Sequence, residues 1–150
     1  MNEIQNEPIK DAVASTIKQS AKISYDDFAK VEIKAGKILS AEKIPDTDKL
    51  LKLMVDFAET VEVVDETGNK TLVSKPRQIV SGISIQFPDP SVLVGKVCMF
   101  VTNLEPRMLR GIESNGMLFA LSTSSTLENP NGTFSLLEPN PIIPIGTKAK

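Results

Sequence analysis

The alternation that begins near Val31 constrains this chain more than any other feature. Val31, Ile33 and Ala35 alternate with Glu32 and Lys34; further on, Leu51, Leu53, Val55 and Phe57 alternate with Lys52, Met54 and Asp56. A period of two puts successive side chains on opposite faces, so both runs read as half-buried strands. Gly36 inside the first predicts a bulge or a sharp bend. Thr60 to Val64 and Thr71 to Val73 flank Asp65-Glu66-Thr67-Gly68-Asn69, which predicts a hairpin. Arg77-Gln78-Ile79-Val80 starts another strand, Lys96 to Thr102 reads as a strand buried on both faces, and Met117 to Leu121 as one more. Pro88-Asp89-Pro90-Ser91 predicts one or two helical turns, stopped by Gly95. Asn103 to Gly116 reads as a long polar loop, and Pro141 and Pro144 suit an extended edge or packing arm. Short strands with one small helix before the fourth predict an all-β fold. The expected form is a five-stranded Greek-key barrel of the OB type, with C-terminal extension strands.

The start of the chain differs. Ile9, Val13 and Ile17 recur at i+4, so Pro8 to about Gln19 reads as a short amphipathic helix or as a frayed leader. Ser24 and Asp27 resemble a capping box opening one helical turn, which frees Phe28 to point into a core. The expected organisation is an N-terminal extension over 1–23 and one domain over 24–150.

Composition narrows the chemistry. The 150 residues include no His, which removes Ser-His-Asp and Cys-His nucleophiles and every zinc site that needs imidazole. The lone Cys98 cannot form an intrachain disulfide and sits in an apolar run, as a small buried hydrophobe. Carboxylate pairs such as Asp26/Asp27 and Asp46/Asp48 occupy turn or capping positions, where structural roles suffice. No catalytic residue, metal ligand or cofactor is expected. Residues 1–20 lack the apolar core of a signal peptide, and no apolar stretch approaches the ~20 residues of a membrane span, so a cytoplasmic location is expected.

A net charge of −2 argues against coating nucleic acid by bulk charge. The cations are nonetheless clustered. Residues 30–52 hold six lysines against four acids, and all three arginines lie between 77 and 110, whereas Asp56, Glu59, Glu62, Asp65 and Glu66 form a stretch without a base.

Four segments carry a resemblance: Asp27-Phe28-Ala29-Lys30-Val31-Glu32-Ile33-Lys34-Ala35-Gly36-Lys37-Ile38, Asp48-Lys49-Leu50-Leu51-Lys52-Leu53, Arg77-Gln78-Ile79-Val80-Ser81-Gly82-Ile83, and the run from Asn103 to Leu118 containing Pro106-Arg107-Met108-Leu109-Arg110-Gly111. In order and spacing they resemble the tRNA-binding domain found at the C-terminus of many methionyl-tRNA synthetases. It also occurs in free-standing tRNA-binding proteins and in the endothelial monocyte-activating polypeptide. The resemblance implies an OB-fold that binds tRNA by structure, without catalysis, and a homodimer formed through a C-terminal segment at about 127–150. It also implies work beside or within methionyl-tRNA synthetase to raise tRNA affinity. Carried over by position, the tRNA-binding candidates are Lys49, Arg77, Ser81, Asn103, Arg107, Arg110, Ser114 and Met117, with Lys34 and Lys37 extending the basic face. Arg107 and Arg110 are the expected phosphate clamps, and Arg77 a bidentate one. Met117 reads either as core or as an adaptable contact. Glu105 and Met108 stand where members commonly carry cations, and the 59–76 stretch looks longer and more acidic than usual. A competing expectation from another class is a dimeric peptide-binding chaperone of the export type on the same fold.

Overall fold

The computed structural model describes residues 19–150; the helix expected from Pro8 lies, but for Gln19, outside them. The first element is a short helix, α1 (Tyr25–Ala29). The Ser24 hydroxyl accepts the Asp27 N–H at 3.1 Å, satisfying one of the donors a helix start leaves open. None of its residues is buried; Phe28 is exposed, contrary to expectation. A separate unit begins at Val31 and runs to Lys150.

That unit is built on a five-stranded antiparallel sheet. Its strands are β1 (Ile33–Lys43), β2 (Leu51–Asp56), β5 (Arg77–Ser81), β6 (Val97–Val101) and β9 (Met117–Leu118), in the order β5-β2-β1-β6-β9. The strict alternation of β2 is realised, with Leu51, Leu53 and Val55 fully buried and the residues between them half-buried. Its inward row packs with Ile38, Ile79, Leu93, Cys98 and Phe100. Each such side chain stabilises the fold by roughly 1.5–3 kcal/mol through burial. Phe57 meets Phe100 edge-on, with ring centroids 5.4 Å apart. Burial pushes the Cys98 thiol up to about 11, so it stays protonated near neutrality and acts as packing.

β1 is long because it serves two partners. Lys37 to Lys43 pair with β2, and Ile33 to Lys37 pair with β6. A bulge or a sharp bend is expected at Gly36; the register shift lies instead at Leu39, between Ile38 and Ser40. Gly36 answers a different need. A Cβ there would stand 2.5 Å from Phe57 Cε1 and 2.6 Å from Val55 Cγ1, so only glycine lets the bent strand pass over the core. The tail returns to the edge of β1 that β2 leaves open. The Ala35 N–H donates to Thr147 O, Gly146 N–H to Ala35 O and Ala149 N–H to Ile33 O, at 3.0, 2.7 and 2.8 Å. The tail packs against β1 as the expected arm, but Pro141 and Pro144 stand in turns and not in an extended edge: the Ile143 N–H donates to Asn140 O at 2.9 Å and the Thr147 N–H to Pro144 O at 3.3 Å.

The end strands of the sheet approach one another, making a nearly closed, OB-like barrel. β5 meets β9 and the strand β8 (Ile112–Ser114) along a seam held partly by side chains. The Val80 N–H donates to Ser114 Oγ at 3.0 Å, Asn115 N–H to Gln78 O at 2.8 Å, and Gln78 Nε2 to Glu113 O at 2.8 Å. The helical turn at Pro90–Leu93 is capped by Asp89 and inserts Leu93 into the core. The expected strand from Met117 to Leu121 divides: β9 ends at Leu118, and β10 (Ala120–Ser122) turns away to pair with β11 (Phe134–Leu136).

Two further hairpins leave the barrel. The first, β3 (Thr60–Val64) with β4 (Lys70–Ser74), is the one expected from sequence, and every residue of both strands is exposed. Its turn is wound around Asp65, whose Oδ1 accepts from the Thr67 hydroxyl and from the backbone N–H groups of Thr67 and Asn69. The second is a correction. Within the supposed polar loop, β7 (Arg107–Leu109) pairs with β8 across the two-residue turn Arg110-Gly111.

Candidate nucleic-acid interface

Both turn residues of the β7–β8 hairpin have positive φ, 52° at Arg110 and 78° at Gly111, as a type I′ turn requires. Glycine takes that conformation freely, whereas a residue with a Cβ holds it at a cost of about 1–2 kcal/mol. The turn thus displays an arginine where asparagine would strain the backbone less. Arg107 and Arg110 are exposed, and neither side chain makes a hydrogen bond or ion pair among the described residues.

That freedom contrasts with four of the lysines. Lys34 pairs with Glu32, Lys52 with Glu42, Lys70 with Glu62 and Lys96 with Glu138, at 3.1 to 3.3 Å. Lys34 is therefore partly neutralised by its neighbour, while Lys37 and Lys49 share with the two arginines the absence of an ion pair among the described residues.

Beside the hairpin lies an open groove of about 660 Å³. Four of the eight sequence candidates meet in its lining: Asn103, Arg107, Ser114 and Met117. Its walls are apolar, from Val80, Leu104, Pro106 and Leu109, and Glu105 lies on the same lining. Met117 is 47% exposed, so it faces the groove and is no core residue. Asn103 is fixed in place, its Oδ1 accepting the Glu32 N–H at 2.8 Å. Ser114 is buried; its hydroxyl donates to Gly116 O at 3.1 Å while accepting from Val80, so it is committed to the seam and serves the groove as wall.

The remaining candidates stand outside this lining. Ser81 is half-buried opposite Leu51 on β2, and the carbonyl of exposed Lys49 accepts the Ser84 N–H at 3.1 Å. Arg77 lies in a second hollow of about 600 Å³, with Glu59, Gln78 and Asn115. There its fork is already engaged. Nε and Nη2 donate to the two Glu59 oxygens at 2.6 Å each, Nη1 donates to Thr102 O, and the guanidinium lies 5.5 Å from the centroid of the Phe57 ring. The bond from Arg77 holds the Glu59 carboxyl below its ordinary value, and the same bond raises Arg77. Glu32 is lowered as well, first by the Thr102 hydroxyl at 2.6 Å and then by Lys34. The bidentate geometry expected of Arg77 is thus present, with a carboxylate of this chain as its partner.

Sequence reasoning did not find Leu104, Pro106 and Leu109 as groove walls, nor Glu59 as the partner of Arg77. The signal for the walls was the apolar-Pro spacing just past the end of β6. For Glu59, 18 residues away, there was none.

Among the described residues, no group of three or more acidic or sulfur side chains could hold a metal ion, and no helix is long and apolar enough to cross a membrane.

Comparisons with known proteins bear on the family and the fold. Residues 33–148 match the family described as "Putative tRNA binding domain". A methionine–tRNA ligase of Methanospirillum hungatei is 43% identical over 132 residues, which make up 88% of this chain and 16% of that protein. The corresponding ligase of Thermotoga maritima is 38% identical over 124 residues, 83% of this chain and 17% of its own length. The chain thus spans about one-sixth of these curated relatives. A MetRS-related protein from Pyrococcus horikoshii superposes with a TM-score of 0.65 at 34% identity, over 87% of this chain and all of that one. The chaperone CsaA from Bacillus anthracis shares the fold, with a TM-score of 0.60 at 24% identity over 87% of this chain and all of its own. The match over most of the barrel, at this identity to the ligases, makes this chain a member of the tRNA-binding domain family.

Proposed function

We propose that the chain binds folded tRNA through the β7–β8 hairpin and the groove beside it, without catalysing a reaction, and raises the tRNA affinity of a methionyl-tRNA synthetase in the cytoplasm. The observation that carries this reading is the pair Arg107 and Arg110, left without ion pairs among the described residues and displayed on a tight turn at some backbone cost. Guanidinium groups suit phosphate, and folded RNA is recognised mainly through its backbone and shape. Lys49 and Lys37 extend the cationic surface, and Asn103 and Met117 meet sugar or base at the groove. Ser114 supports that wall, Ser81 follows it on β5, and Arg77 acts at one remove by fixing Glu59.

A homodimer is part of this reading. Leu127 and Ile142 are 101% and 80% exposed, which supports contact with a second copy through the segment following β10. Replacing both with serine is expected to give monomers in sedimentation, and a persistent dimer would place the interface elsewhere.

The decisive experiment titrates the protein with bulk folded tRNA across a salt series, with single-stranded RNA of equal length as control. Preference for folded tRNA with a negative salt slope supports the reading. Equal weak binding to both, or none, overturns it in favour of a peptide-binding chaperone on the same fold.

A further inference from the structure

Two opposite charges line the same groove without meeting. Glu105 and Arg107 are two residues apart, both exposed and both on the lining, yet neither forms an ion pair among the described residues. Between and around them the walls are the aliphatic side chains of Leu104, Leu109, Val80 and Met117. A phosphate-only site gains nothing from a carboxylate on its rim, which repels the ligand. The volume of about 660 Å³ also lies inside the range usual for a cleft that takes a small ligand. The complementary occupant is bipolar and has an apolar flat face. A nucleotide is such an object: an anionic phosphate at one end, hydrogen-bond donors on the base edge at the other, and a ring face between them.

Resting on the tRNA-binding reading above, we propose that the groove takes one unpaired nucleotide of the folded RNA and selects guanine, with Glu105 as the specificity-determining residue. The two oxygens of an ionised carboxylate only accept hydrogen bonds. Guanine alone among the four bases presents two adjacent donors, the ring N–H and the exocyclic amino group, on its Watson–Crick edge. Uracil presents one donor flanked by two acceptors, which the carboxylate repels. Arg107 takes the phosphate, the aliphatic walls take the ring, and Met117 adapts to its face. This chain lacks Trp, and the groove lining holds no aromatic ring, so discrimination comes from the edge of the base and not from stacking.

The test uses the full chain, bulk tRNA, and three RNA stem-loops that differ at one unpaired loop position: guanosine, inosine (guanine without its amino group) or uridine. The guanosine stem-loop is expected to bind about tenfold tighter than either of the others, the discrimination typical of one bidentate base contact. Glu105→Gln removes one acceptor and is expected to reduce that ratio to near one. Equal binding of the three stem-loops by the unaltered protein, with bulk tRNA still bound and salt-dependent, overturns the guanine site and leaves the tRNA module standing. Loss of discrimination in Arg107→Ala but not in Glu105→Gln also overturns it. If bulk tRNA itself fails to bind, or an apolar peptide displaces it from the groove, the underlying reading falls with it.

Discussion

The two hairpins that leave the barrel are built alike and charged oppositely in effect. β3–β4 and β7–β8 are both two-stranded and antiparallel, and a lone ribbon of this kind is marginal in water. The first is tied down at its root by the Arg77–Glu59 fork, and its Lys70 pairs with Glu62. Its cations are spent inside the molecule. The second is rooted by the Ser114 and Gln78 bonds to β5, which are neutral, and so its two arginines stay available. An arginine whose fork is held by a carboxylate of its own chain, as Arg77 is by Glu59, is not available to a phosphate. Residue type alone does not distinguish Arg77 from Arg107.

The largest effect expected from breaking this contrast comes from the second hairpin. Arg107→Ala with Arg110→Ala should weaken folded tRNA binding by about tenfold or more and flatten the salt slope by nearly two units, if each guanidinium meets one phosphate. Anisotropy titrations at four salt concentrations would show it, and an unchanged slope would sink the clamp. Arg77→Ala should do the reverse. It leaves a partly buried Glu59 unpaired, at a cost of about 1–3 kcal/mol in stability read by thermal melting, with the salt slope intact. A changed slope would return Arg77 to the binding surface.

A smaller effect is set by pH. The Arg77 bond holds the Glu59 carboxyl below the ordinary glutamate value in the folded state, so its pairing contributes stability above that ordinary value. The contribution is lost as the pH falls from near 4.5 through the lowered folded value. Glu59→Gln should therefore lower the melting temperature at pH 7 and narrow its gap to the parent protein on acidification below pH 4.5. A gap that stays constant with pH would deny the ion pair. With no histidine in the chain, stability between pH 5 and 8 should be nearly flat. Smallest of all, replacing residues 61–73 by two glycines should change tRNA affinity by less than about twofold, since these exposed residues line no part of the groove and exposed charges are screened by salt. A larger gain would make the acidic hairpin a brake on binding.

The barrel was largely legible in the sequence, because burial on one face writes itself as alternation. Leu51, Leu53, Val55 and Phe57 could hardly be anything else, and the β3–β4 hairpin had a turn of favourable type between two apolar runs. β7–β8 was misread as loop for two physical reasons. Its strands are three residues each, too short to show a period, and its turn is Arg-Gly in place of the usual Asn-Gly. Gly36 could not be read more finely than a bulge or a sharp bend because glycine signals close approach as readily as irregular pairing; the side chains of Phe57 and Val55 beside it decide. The groove candidates came from resemblance, which ranks positions but cannot see partners. It therefore gave Ser114, inward and doubly bonded, the same standing as exposed Arg107.

Ser114 also makes occupancy and cohesion one equilibrium. Its hydroxyl takes the Val80 N–H that a strand neighbour's carbonyl would otherwise accept, so the barrel is joined at that point of β5 through a side chain. A ligand seated against that wall adds its binding free energy to folding, by RT ln(1 + [L]/Kd). The Val80 amide should then exchange its hydrogen early in the empty protein and late in the loaded one, making the cargo the last staple of the fold that carries it.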